Sequence, residues 1–212
     1  MYTPKHFDEP RIDVLHALIR ERPLSTLVTL TARGLEANHI PLLLDAQPGP
    51  FGTLRGHVAR GNPLWKDFNA GIDVLAVFTG PEAYITPSWY PGKKVDGKVV
   101  PTWNYAVAHA KGTLHVHDDA AWLRAHLEQL VDFNEGRLPK PWKVGDAPED
   151  FVAKMIGAIV GIEIPLRSLT GKWKMSQNRS DVDRNSVAAG LRVQGGDEKE
   201  QVAALVEPKA AS

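Results

Sequence analysis

At 212 residues, with 43% of side chains hydrophobic, the chain can form one domain with a sizeable core. Its 25 basic residues balance its 25 acidic ones, so no overall field draws it toward nucleic acid or an acidic membrane, and DNA contact would need a local patch. The lack of cysteine excludes disulfides, thiolate metal sites and cysteine nucleophiles.

The opening MYTPKHFDEP has no apolar run of the signal-peptide kind. No later stretch approaches the roughly 20 apolar residues of a membrane span, so a cytoplasmic protein is expected. Residues 10–22 place Ile12, Leu15 and Ile19 on one helical face, behind Asp8 and Glu9 and before Pro23. Strands are predicted over residues 25–31, 37–44 and 52–59, separated by Ala32-Arg33-Gly34 and by Gln47-Pro48-Gly49-Pro50. A helical turn over 63–70 would carry Trp65 and Phe68 inward, and DVLAVFT (73–79) reads as a buried strand.

Residues 83–89 and 99–114 then read as the two strands of a hairpin with a Gly- and Lys-rich connection. Helices follow over 119–133, capped by Asp118 or Asp119, and over 148–159, with an exposed loop at 136–147 between them. GIEIPLRSL (161–169) alternates as a last strand. The reading gives one domain over 1–198 and a weakly ordered tail over 199–212. Six or seven short strands without a βαβ rhythm imply a mainly β fold with peripheral helices, a closed or nearly closed antiparallel barrel. So small a barrel fills its own interior, leaving a large ligand outside it or across a subunit interface; a homodimer is therefore expected.

The hairpin gathers Trp89, Tyr90, Trp103 and Tyr105 beside Ser88, Thr102 and Asn104, a mixture that suits a flat heteroaromatic ligand with polar edges. Cross-strand stabilisation is the plainer role for such rings. Arg55, His57 and the Arg60-Gly61-Asn62 turn could form an anion corner, or the arginines could be solvated and His39 and His57 be core residues. In GKWKMSQNR, Lys172, Lys174 and Arg179 could neutralise phosphate with Trp173 alongside, or protect a strand edge. His115 and His117 share a strand face beside Asp118, a weak metal pattern that leaves a structural role open, and no metal site is assigned. G-x-S-x-G, H-E-x-x-H, P-loop and dinucleotide fingerprints are absent.

Taken in order, MYTPKHF, HIPLLLD, GHVARGNPLW, EAYITPSWYP, VVPTWNYAVAHAKG and GKWKMSQNR resemble the PaiB-type FMN-binding negative transcriptional regulator family, over nearly the whole chain. The resemblance implies a split β-barrel of the pyridoxamine-phosphate-oxidase-like flavoproteins, a homodimer holding FMN between subunits, and repression of genes in some bacteria. By motif it implies that His39, Ile40, Pro41, His57, Val58, Arg60 and Asn62 lie along the FMN phosphate and ring edge. It likewise puts Trp103, Asn104 and Tyr105 beside the isoalloxazine and brings Lys172, Lys174 and Arg179 from the partner. No helix-turn-helix accompanies it, so DNA contact lacks its usual footprint. A flavin-dependent oxidoreductase without DNA binding, and a haem-handling barrel using His57, His109, His115 or His117, remain the alternatives; no catalytic residue stands out.

Overall fold

The computed structural model describes residues 1–208. Along the chain lie β1 (Asp8–Glu9), α1 (Ile12–Glu21), β2 (Leu24–Thr31), β3 (Gly34–Pro41), β4 (Leu43–Asp45), β5 (Thr53–Ala59) and the short α2 (Leu64–Asp67). Then come β6 (Val74–Ile85), the turn α3 (Lys93–Asp96), β7 (Thr102–Gly112), β8 (His115–His117), α4 (Ala120–Glu135) and α5 (Glu149–Gly157). The last elements are β9 (Ile159–Lys174), α6 (Asp181–Gln194) and α7 (Asp197–Val206). Hydrogen-bonded strands follow the order β3-β2-β6-β7-β9-β5-β4, with β1 and β8 also on β9. Every register described is antiparallel, and the β2–β3 and β4–β5 pairs are joined by short connections that allow no other pairing. No pairing joins β3 to β4 among the described residues, so the sheet is not closed.

Contacts divide the chain into two compact units. The larger holds residues 16–78 and 109–169. Its β2–β3 hairpin turns at Gly34, whose φ of 113° suits glycine. Alternation along β2 sends Ser25, Leu27, Thr29 and Thr31 inward. The opposite side carries Leu24 against Pro41, Thr26 against His39, Val28 against Ala37 and Leu30 against Leu35, with Leu75 and Val77 of β6 beside them. Leu24 and Leu35 are 64% and 77% exposed, so this face is apolar yet uncovered. In the same unit Asp119 caps α4 by accepting from the Trp122 amide at 2.7 Å. Leu123 then packs with Val144, Val152 and Ile156. The Trp122 ring reaches β9 only because residue 161 is glycine: a Cβ there would lie 2.3 Å from the indole.

The smaller unit holds residues 1–15, 79–108 and 170–208 of those described. Ile85, Tyr90, Ala106 and Met175 pack here against Val187 and Leu191 of α6 and Val202 and Val206 of α7. Trp89 lies on Gly190, where a Cβ would come within 2.5 Å of the ring. Arg184 donates to the Val206 and Glu207 carbonyls at 2.9 and 3.1 Å, tying the end of α7 to α6.

Several elements differ from expectation. The two strands predicted over 73–79 and 83–89 are one, β6, in which Gly80 and Pro81 are buried. Proline lacks an amide donor, and pairing with β2 ends at Val77, before it is reached. Trp89 falls in a 3-10 turn, Pro87–Trp89, rather than on a strand. The loop at 136–147 buries Val144 in a turn of its own. From Lys199 the chain continues as α7 through Val206, because Val202, Ala203 and Val206 share one face and are fully buried. Residues 209–212 of the expected tail lie outside the described residues.

Candidate functional site

In the smaller unit, alternation sorts the residues of β7 and β9 onto two faces. Ala106 and Met175 point into the core, and Asn104 is buried in reciprocal hydrogen bonds with Ser176 at 3.0 and 3.2 Å. Trp103, Tyr105, Lys172 and Lys174 take the other face. There Trp103 meets Tyr84 edge-on at 6.0 Å and is 52% exposed. The Lys172 ammonium lies 5.4 Å from the Tyr105 ring centre and donates to the Tyr2 carbonyl. Lys174 donates to Thr102 Oγ1 and the Trp103 carbonyl.

Neither lysine makes an ion pair among the described residues. Each ammonium has three donors, so both keep hydrogen-bonding capacity. Partial burial pushes the Lys174 pKa down, Tyr105 opposes that, and the neighbouring Lys172 lowers it further. The face thus combines two lysines that make no ion pair among the described residues, Lys172 lying opposite Asp8 of β1, with half-exposed rings. Arg179 lies over the Tyr90 ring at 4.9 Å within the same unit. Trp89 and Tyr90, which read with Trp103 and Tyr105 as one platform, belong instead to the core beneath α6.

The remaining candidates lie in the larger unit. Ile40 and Val58 are buried core side chains. His39 and Pro41 face outward on β3, with His39 Nδ1 3.2 Å from Thr26 Oγ1. The Asn62 amide donates to Asn38 Oδ1 at 2.9 Å, and its oxygen accepts from the Leu64 amide, which shapes the turn. Arg60 donates to both Asp118 oxygens at 2.6 and 2.9 Å and to the Gly157 and Ile159 carbonyls. One of its five N–H groups is left, and the bonded guanidinium holds the Asp118 carboxyl below its usual range. Arg60 therefore clasps β5 to the start of α4 and of β9.

His57 Nδ1 sits 3.2 Å from His126 Nε2. His117 stacks flat on Trp122 at 4.3 Å, and Trp122 stacks on His126 at 5.4 Å. Burial, then His57, then Arg55, push the His126 pKa down to about 4; burial lowers that of His57 as well. No cluster of three metal-ligating side chains is present among the described residues. Sequence reasoning missed His126, whose pairing with His57 spans 69 positions and leaves no local signal.

An open antiparallel sheet flanked by helices is the architecture of the split-barrel flavoproteins, and solved structures of that class share it. The FAD and heme binding protein from Mycobacterium smegmatis superposes with a TM-score of 0.57 at 19% identity, covering 86% of this chain and 80% of that one. The flavocytochrome Anf3 from Azotobacter vinelandii gives 0.58 at 12% identity, covering 81% and 72%. The chain belongs to the family described as "Putative FMN-binding domain", which matches residues 1–168. Similar relatives are an uncharacterized protein of Emericella nidulans, 34% identical over 99% of this chain and 97% of its own length, and the protease synthase and sporulation protein PAI 2 of Bacillus subtilis, 30% identical over 99% and 98%.

FMN is the cofactor that this membership assigns. The outward face of β7 and β9 fits it: two lysines without acidic partners suit a phosphate, and Trp103 and Tyr105 suit a flat ring. When bound, FMN would supply electron- and hydride-transfer chemistry, for which the protein provides position and electrostatics.

Proposed function

We propose that this chain works as a homodimeric FMN-binding protein that senses or regulates through its flavin. Lys172 and Lys174 hold the phosphate, Trp103 and Tyr105 line the ring system, and the second copy covers the other side. The observation that carries this reading is the pair of lysines on one face of β9, which make no ion pair among the described residues and are bordered by Tyr105 and the exposed Trp103. Dimerisation draws support from the uncovered face of β2 and β3, where Leu24 and Leu35 stand exposed beside one another's strands. His39 and Pro41 lie on that same face, where a second copy would meet them. The regulatory role follows the negative-regulator resemblance and a relative named for protease synthesis and sporulation.

Purified protein should be yellow and release FMN on denaturation. Lys172→Ala with Lys174→Ala should weaken FMN binding at least tenfold in a fluorescence-quenching titration. Colourless protein that ignores added FMN would refute the reading, and undiminished affinity in the double variant would move the phosphate elsewhere. The balanced charge favours a second role, flavin-dependent oxidoreduction without DNA binding. Bleaching by NADH or NADPH under nitrogen, with no gel shift at low salt, would select that role. A shift lost steeply with rising salt would select repression.

A further inference from the structure

A groove follows one face of α4 in the larger unit. Three cavities of about 240, 310 and 390 Å³ share walls: Arg55 and Gln129 border the first two, and Phe133 borders the second and third. His126, Gln129 and Phe133 recur at helical spacing, which places them in a row. The two ends differ in chemistry. At one, Arg137 and Arg20 of α1 both line the third cavity, and neither has a hydrogen bond or ion pair among the described residues. Glu21, in the same wall, lies 3.9 Å from Arg22, which offsets its charge. At the other end His126 is 3% exposed; its Nε2 is taken by His57 and its Nδ1 has no partner. Buried polar atoms are as a rule hydrogen-bonded, so Nδ1 is open to a donor or acceptor from water or a bound molecule. From His126 to the end of α4 at Glu135 the helical rise amounts to roughly 14 Å, and Arg137 follows two residues on.

We infer that this groove binds a nucleoside monophosphate-like molecule, its phosphate between Arg20 and Arg137 and its hydrogen-bonding ring at Gln129 and His126. Arginine pairs suit phosphate through their planar forks of donors. Phe133, Leu43, Leu44 and the Asp45–Arg55 ion pair border the middle, where a sugar would lie.

The test is a calorimetric titration of FMN-saturated protein with AMP, adenosine and inorganic phosphate separately, which keeps the groove distinct from the flavin surface. AMP should bind at least tenfold more tightly than adenosine or phosphate. Arg20→Ala with Arg137→Ala should bring AMP down to the level of adenosine, whereas Gln129→Ala should weaken AMP and adenosine alike. Both arginines are exposed, so these variants should keep the wild-type melting temperature. Arg137→Glu, beyond the end of α4, gives the same reading if the double variant folds poorly. No binding of AMP at millimolar concentration, or an AMP affinity that the arginine variants leave unchanged, overturns the inference.

Discussion

Acid should loosen the packing of α4 on the sheet, and His126 sets the window. Its folded pKa of about 4 lies below the ordinary histidine value of 6.5, because burial, His57 and Arg55 all oppose its charge. Between those two values the unfolded chain binds more protons than the folded one, so stability rises with pH there. The contribution is complete above pH 6.5 and is lost progressively as pH falls toward 4. Between pH 7.5 and pH 4.5 this amounts to roughly 2–3 kcal/mol, at about 1.4 kcal/mol per pKa unit. His57 is coupled to His126 at 3.2 Å and lowered in the same direction, so the slope belongs to the pair. Urea unfolding at pH 7.5, 6.5, 5.5 and 4.5 would measure it, with His126→Gln as the reference, since an amide can still bond His57 Nδ1. Wild type should lose roughly 2 kcal/mol more than the variant over that range. Equal losses would show that His126 does not titrate in the folded state as described, and the reasoning would fail.

Gly161→Ala would drive a methyl group into the Trp122 indole, where a Cβ sits 2.3 Å from the ring. Overpacking of this kind should cost about 1–3 kcal/mol in thermal unfolding and change the near-ultraviolet dichroism of the tryptophan. Gly190→Ala, against Trp89, should destabilise by a similar amount and quench or shift indole emission; a neutral result would mean that α6 yields freely. Leu35→Asp on the exposed strand face should leave folding intact while converting a dimer to a monomer in light scattering. A species of unchanged mass would place the subunit contact on another surface.

What could be read from sequence was local. The start of α4 was legible because Asp119 and the apolar spacing behind it act within four residues. The alternation of β2 and β5 and the FMN-family motifs were equally direct. The division of the aromatic set was not: whether Tyr90 or Tyr105 faces a ligand depends on which side α6 covers, and α6 starts dozens of residues later. Arg60 carried the signature of an anion corner, but its anion is Asp118, 58 positions away, and nothing near Arg60 announces that partner. The acidic, lysine-containing start of α7 masked three buried positions whose periodicity shows only when 202–206 are taken together. His126 was lost among ordinary amphipathic residues of its helix for the same reason as Asp118.

The family match ends at residue 168, yet the chain does not become dispensable there. Met175 just after β9, Val187 and Leu191, then Val202 and Val206, close the side of a core that also holds Ala83, Ile85, Tyr90 and Ala106. A fragment trimmed to the matched length would leave those side chains facing water, an adhesive surface, and would also remove the end of β9 that pairs with β1. Expression boundaries for this protein should therefore run past Glu207, the residue whose carboxylate bonds Arg192 and seals the helical pair.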